Sequence, residues 1–427
     1  LNTLGSLIAF QRRCVGTIPA SLPLTLARLV AAGLGFLSTM VLAPVLGPAA
    51  LGIYALALNV QGWSQHVAEL GLRTAVTAAA ARCGSARDLV APYLLARLAT
   101  TTITLLVLSG ATMLLAAEAL PVILVVSLSL VAMALQLDWV ALVAGCPVRA
   151  SIPLVVRPAL FLAGIAVTAV LAPRGLDALA AAALFSLSWT GACVVSWMGA
   201  GPIAWRAPVE RVAALLRAGP PLAGNSLLNQ ALVGIDLWVV AHVAGLAAVG
   251  PYFLAAQIAT AGTVTANAVG QARLARPGAA GGSADGLVAV AWLGASIATA
   301  LIALAPTVVE AVLGSGDAPV AGLVVPFALW CALQHLSVPL QSAVTRADRA
   351  ARLLGAAQAA FATTVVVLAV AAASGSVVIV AWARVIAELV RIALLLAVVP
   401  ATQRAAVIGA AVMPASLLGI AAVAALC

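Results

Sequence analysis

VLAPVLGPAALGIYALA (residues 41–57) and VVAHVAGLAAVGPYFLA (residues 239–255) stand 198 positions apart and agree at ten of seventeen positions. Alanine-rich composition alone accounts for about two such matches. The shared frame is Gly-x4-Gly-x-Tyr, with Gly47, Gly52 and Tyr54 in the first copy and Gly245, Gly250 and Tyr252 in the second. Glycine admits a tight turn, and a tyrosine just inside the following helix suits a membrane interface. Each copy lies where one long apolar run ends and the next begins, so each joins two helices.

A bilayer core of about 30 Å is crossed by about 20 apolar residues of helix. Runs of that kind lie at 22–46, 50–70, 91–116, 119–145, 151–172, 177–200, 219–243, 247–272, 286–312, 319–344, 353–373, 375–398 and 405–426. The first copy joins spans one and two, the second joins spans seven and eight. An even number of spans separates them, so both copies cross the membrane in the same sense. That is a parallel repeat about an axis along the membrane normal. The expected fold is an all-α integral membrane protein of about 13 transmembrane helices, in two pseudo-symmetric six-helix lobes around a central cavity. Residues 1–21 are expected to form a cytoplasmic N-terminal segment, 22–212 the first lobe, 213–400 the second, and 401–427 an additional helix. The inner loop 201–218, with Pro202, Pro208, Arg206, Arg211 and Arg217, is the natural joint between lobes.

Composition excludes a soluble domain: 64% of residues are hydrophobic and 8% charged, against roughly half and a quarter in water-soluble folds. The net charge of +9 comes from 21 basic residues, all arginine. They are dispersed between apolar runs instead of clustered on one face, which argues against nucleic acid as a partner. With the N-terminus cytoplasmic, fifteen arginines fall on the inner side and only Arg174 outside. The remaining five, Arg28, Arg97, Arg157, Arg384 and Arg391, lie within helices. This is the positive-inside pattern, and it sets the N-terminus on the cytoplasmic side of the membrane. Outer connections are short, so no loop is large enough for the active site of a membrane polymerase or ligase. The six cysteines show no metal spacing and only three histidines occur, so neither a metal nor a cofactor is expected. Arg12 and Arg13 follow the first short apolar stretch instead of preceding it, unlike a secretory signal.

The stretch VLAPVLGPAALGIYALAL…AELGLRTAV resembles the start of the polysaccharide transporter (oligosaccharide or O-antigen flippase) family. That family belongs to the multidrug/oligosaccharidyl-lipid/polysaccharide exporter superfamily. The shared features are an LGP-x-x-x-G-x-Y turn, at residues 46–54, and LGL at residues 70–72. GIDLWVVAHVAGLAAVGPYFLAAQ, at residues 234–257, is similar to the family's entry into helix 7. The resemblance covers roughly residues 22–400. His242 and Pro251 depart from the more usual basic or small residues, and relatives of twelve or fourteen helices make a thirteenth ending at Cys427 an odd one out. The expectation from that count is a chain cut short.

The resemblance implies a lipid-linked oligosaccharide as cargo, with membrane lipids, glycosyltransferases and a polysaccharide polymerase as partners. Such a cargo carries a diphosphate and a polar glycan, so cations and amides inside the membrane are the candidates for holding it. An intramembrane charge costs about 2.5–3.5 kcal/mol on insertion scales. Arg28 either snorkels to the interface or, as relatives imply, holds the anionic head group. Arg157, beside Pro158, either marks a helix start or meets phosphate. Arg384, Glu388 and Arg391 share one face of helix 12, as a structural ion cluster or as a positive stripe for diphosphate. Amide-rich stripes occur on helix 2 (Asn59, Trp63, His66), helix 7 (Asn225, Asn229, Asp236) and helix 8 (Gln257, Thr260, Asn267, Gln271). They suit sugar hydroxyls, and equally suit bonds between helices. Asp236 and Glu388 are also candidates for ion coupling, while Asp138 reads as a cap or a structural partner. Two transporter functions stay open: a flippase working by alternating access, and a multidrug or small-solute antiporter of the same superfamily. The arginine-weighted interior favours an anionic cargo.

Overall fold

The computed structural model of the chain describes residues 21–83, 86–115, 119–172, 175–198, 205–274, 284–313, 318–346, 350–399 and 404. Among them every long element is a helix. In lipid a helix satisfies all its backbone polar groups internally, so long apolar runs have little alternative. In chain order the helices are α1 (Ser21–Glu69), α2 (Leu72–Cys83), α3 (Val90–Leu115), α4 (Leu120–Ser127), α5 (Ser129–Ala134), α6 (Asp138–Val143), α7 (Pro147–Leu171) and α8 (Ala178–Met198). They continue as α9 (Val209–Ala218), α10 (Pro220–Ala244), α11 (Leu246–Leu274), α12 (Ala284–Leu313), α13 (Ala318–Arg346), α14 (Ala350–Ser374) and α15 (Val377–Val398).

Each expected span from 22–46 to 375–398 is met by helix. The run at 405–426 lies outside the described residues. Nine helical stretches among the described residues are long and apolar enough to cross a membrane. Pro23–Glu69 counts once, although Gly47 divides it. The apolar part of α12 is shorter, Ala289–Leu304, and α15 carries Arg384, Glu388 and Arg391. The loops hold two further helices absent from the sequence reading, α2 and α9, both short.

The repeat governs the packing. Gly47 adopts φ 70° and ψ 170°, and Gly245 adopts φ 79° and ψ 172°. Both turns therefore have one left-handed conformation, open to glycine at no steric cost. The turns then pack on each other reciprocally. A Cβ on Gly52 would stand 2.1 Å from the carbonyl oxygen of Leu246, and one on Gly250 would stand 2.4 Å from that of Pro48. Leu246 and Pro48 are themselves equivalent under the displacement of 198, so the contact repeats itself across a local two-fold relation. Small residues let helix backbones approach where lipid supplies no hydrophobic drive. Behind the turns lies a core shared by both copies, including Leu51, Ala55, Val249 and Tyr252.

The expected span 119–145 is built from three short consecutive helices instead of one continuous helix. Its backbone opens at Leu128 and again at residues 135–137. Helix α8 satisfies the second opening: Ser196 Oγ accepts from the Leu137 N–H at 3.1 Å, and Trp197 Nε1 donates to the Leu135 carbonyl at 2.8 Å. Unwound backbone at membrane depth is tolerated where protein covers it or it borders a cavity. Here both conditions hold, because Gln136 and Asp138 border the cavity described next.

Candidate functional site

A cavity of about 520 Å³ lies between α1, α7, α8 and α11. Its wall on α1 runs from Arg28 to Leu42, a rise of about 21 Å at 1.5 Å per residue. Beyond Gly47 the same helix adds Tyr54, Leu58 and Gln65. The second copy of the repeat supplies the facing wall: Phe253, Gln257, Thr260, Ala261 and Val264 form one stripe of α11. The cavity is thus built by both halves of the chain.

Its charge is unbalanced. Arg73 is held by Asp138 at 2.5 Å. Arg28 and Arg157 line the same space, and neither has an acidic partner among the described residues. Arg157 lies 4.5 Å above the ring of Trp189. That cation–π contact orients the guanidinium without neutralising it. Trp189 is steadied by Phe185, at 6.4 Å between centroids, and Phe185 by Phe161, at 5.9 Å. Arg157 and Phe161 are one turn apart on α7, as are Phe185 and Trp189 on α8, so the helical repeat brings all four to one place.

A second cluster lies deep in the other half. Asp236, only 1% exposed, has both oxygens occupied. Arg384 donates from Nε to Oδ2 at 2.6 Å and from Nη2 to Oδ1 at 3.1 Å, the Tyr252 hydroxyl donates to Oδ2 at 2.5 Å, and the Leu237 N–H donates to Oδ1 at 3.0 Å. Arg384 also donates to the Val233 carbonyl and faces the rings of Phe327 and Trp330 at 5.2 and 5.3 Å. One turn further along α15, Glu388 accepts from Gln334 at 2.8 Å and stands 3.5 Å from Arg391. Arg384, Gln334, Glu388 and Arg391 border a separate space of about 20 Å³.

The sequence candidates therefore divide. Arg28, Arg157, Gln257 and Thr260 meet at the large cavity. Arg384, Arg391, Glu388 and Asp236 gather elsewhere and answer one another's charge. The helix 2 residues hold the seam between halves: Asn59 Oδ1 accepts from Trp238 Nε1 at 3.1 Å, and Trp63 Nε1 donates to the Gln230 carbonyl at 3.3 Å. His66 is half-buried, one turn beyond Trp63. Asn229 is half-buried and Asn267 exposed. The side chains of Asn225 and Gln271 lie outside the described residues. Sequence reading missed Tyr54, Gln65, Gln136 and Trp189 as cavity residues. It placed Arg73 in an inner loop, and the signal for its pairing was the lone acid Asp138 late in an apolar run.

Solved structures share this fold over almost the whole chain. The lipid II flippase MurJ in an inward closed conformation aligns with a TM-score of 0.71 at 10% identity, covering 94% of this chain and 96% of that one. An outward-facing multidrug resistance MATE family transporter of the MOP superfamily aligns at 0.59 and 15%, covering 93% and 96%. A MOP superfamily transporter from Pyrococcus furiosus, described by the reversed polarity of its binding pocket, aligns at 0.53 and 13%, covering 93% and 96%. No curated protein matches the chain in sequence. The polysaccharide biosynthesis protein family matches residues 21–274, more than half of the chain, including both repeat copies, the three cavity arginines and Asp236. The chain is a multi-pass membrane protein of that polysaccharide biosynthesis family.

Proposed function

We propose that the chain is a flippase that carries a polyprenyl-diphosphate-linked oligosaccharide across the cytoplasmic membrane by alternating access. The observation that carries this reading is the cavity between the two halves, with Arg28 and Arg157 both lacking an acidic partner among the described residues. A dianionic head group would supply the missing negative charge, and Gln65, Gln136, Gln257 and Thr260 would meet sugar hydroxyls. The chemistry involves no covalent change, so the cavity needs no nucleophile or acid–base pair. Two lobes, 22–212 and 213–400, would rock about the reciprocal glycine contact with the N-terminus cytoplasmic. Cargo would come from glycosyltransferases on the inner face and pass to a polymerase on the outer face. The solved MurJ structure is named for a lipid II flippase, a cargo of the same chemical class.

The MATE structures keep a drug-antiporter reading in view, and the cavity's surplus positive charge weighs against cationic drugs. Purified protein in vesicles separates the two. Flipping of a fluorescent polyprenyl-diphosphate oligosaccharide, without uptake of a cationic dye, is the expected outcome. Dye exchange without lipid flipping would reverse the choice. Cysteine labels at residues 47–51 and 245–249 should react from outside and labels at 205–218 from inside.

A further inference from the structure

The hydroxyl of Tyr54 is buried without a hydrogen-bond partner, and so is the indole N–H of Trp189. Tyr54 is 2% exposed and Trp189 9%, and both border the large cavity. A buried donor left unpaired costs about 1–3 kcal/mol, so two beside one cavity call for an explanation. The Tyr54 ring stacks on Phe161 at 6.5 Å, and the aromatic chain Phe161–Phe185–Trp189 leads to Arg157. Three groups thereby line the cavity: a guanidinium and an indole N–H, which only donate, and a phenol hydroxyl free to donate.

The other repeat copy indicates what such donors hold. Tyr252, the equivalent of Tyr54, donates to the Asp236 carboxylate, which Arg384 grips with two bonds. Under the displacement of 198, the position of Asp236 falls on Ser38, whose Oγ donates to the Leu34 carbonyl. The first half thus keeps the tyrosine alone of the three: the position of Arg384 falls on Ser186, no acid stands at Ser38, and the cation near Tyr54 is Arg157, from α7. We infer that Tyr54, Arg157 and Trp189 form a subsite for an anionic oxygen of the cargo, phosphoryl or carboxylate, which accepts from Tyr54 as the Asp236 carboxylate accepts from Tyr252. The inference rests on the cavity being the cargo's place. Because the two orphan donors are sealed from solvent in this conformation, the subsite forms as the cavity widens around its cargo.

The test is binding of polyprenyl diphosphate lipids to the full protein in nanodiscs, followed by thermal shift or fluorescence. The probes are bare polyprenyl diphosphate, the same lipid bearing a neutral disaccharide, and the same lipid bearing a glucuronate disaccharide. Tyr54→Phe removes one oxygen, and without cargo it should be as stable as the parent or more so. It should weaken binding at least ~10-fold, the effect of losing one hydrogen bond to a charged group. An equal loss for all three lipids identifies phosphate as the bound anion. A loss confined to the glucuronate lipid identifies a sugar carboxylate. Trp189→Phe keeps a ring under Arg157 and should weaken the same probe. If the parent binds these lipids and both variants bind within twofold of it, the subsite is refuted and the flippase reading stands. If the parent binds none of them, both fail.

Discussion

The two halves share a turn, a tyrosine and a glycine contact, yet they surround that tyrosine differently. In the second half Arg384, Asp236 and Tyr252 close on one another, and all three are buried. In the first half Arg157 rests on an aromatic ring beside an open cavity, and Tyr54 donates to nothing. A guanidinium gripped by a carboxylate adds rigidity at a desolvation cost, and removing either partner strands the other. A guanidinium without a carboxylate contributes little to the fold and keeps its charge for a ligand. Under the proposed function, the Asp236–Arg384 cluster of the second half is a strut, and Arg157 of the first half is a contact for the cargo.

The largest effect is expected from Asp236→Ala, which leaves Arg384 buried and unpaired. The variant should lose about 3–5 kcal/mol, read as a fall in thermal stability and in membrane abundance. Pairing it with Arg384→Leu should restore much of that loss. Next come Gly52→Ala and Gly250→Ala. Each Cβ would enter the opposite backbone, and overpacking of this kind costs about 1–3 kcal/mol. Because the contacts are reciprocal, the two variants should lose similar amounts in melting experiments. A marked difference would break the symmetry on which the comparison rests. Glu388→Gln comes third: it keeps the bond to Gln334 and removes the anion beside Arg391. A stability loss of about 1–3 kcal/mol, relieved by Arg391→Gln as well, would identify a structural cluster. If stability holds and affinity for the lipid rises, the cluster belongs to the cargo path after all.

The sequence makes the helices legible because apolar runs of sufficient length have one solution in a bilayer. The repeat made Gly47 and Gly245 legible as turns, since two copies of Gly-x4-Gly-x-Tyr leave little room for chance. Other features needed three dimensions. The opening at residues 135–137 was hidden because nothing local in LQLDW signals it; its partners, Ser196 and Trp197, come from a distant helix. Arg157 and Arg384 both read as charges inside apolar runs, and only their neighbours separate them. Asp236 and Arg384 are 148 residues apart, and a face of α15 considered alone cannot name that partner. Tyr54 was visible as a repeat residue, but its missing acceptor became apparent only beside the bonds of Tyr252.

The smallest expected effect on stability tests the central claim most directly. Arg157→Ala removes a cation with no acidic partner among the described residues, so melting temperature and membrane abundance should stay close to the parent's. The measurement is the initial rate of flipping of a fluorescent polyprenyl-diphosphate oligosaccharide in vesicles, normalised to folded protein. A fall of at least ~10-fold, as for the loss of a contact to a charged group, is the predicted result. An unchanged rate, or a fall that only follows the loss of folded protein, would contradict the assignment of Arg157 as a contact for the cargo.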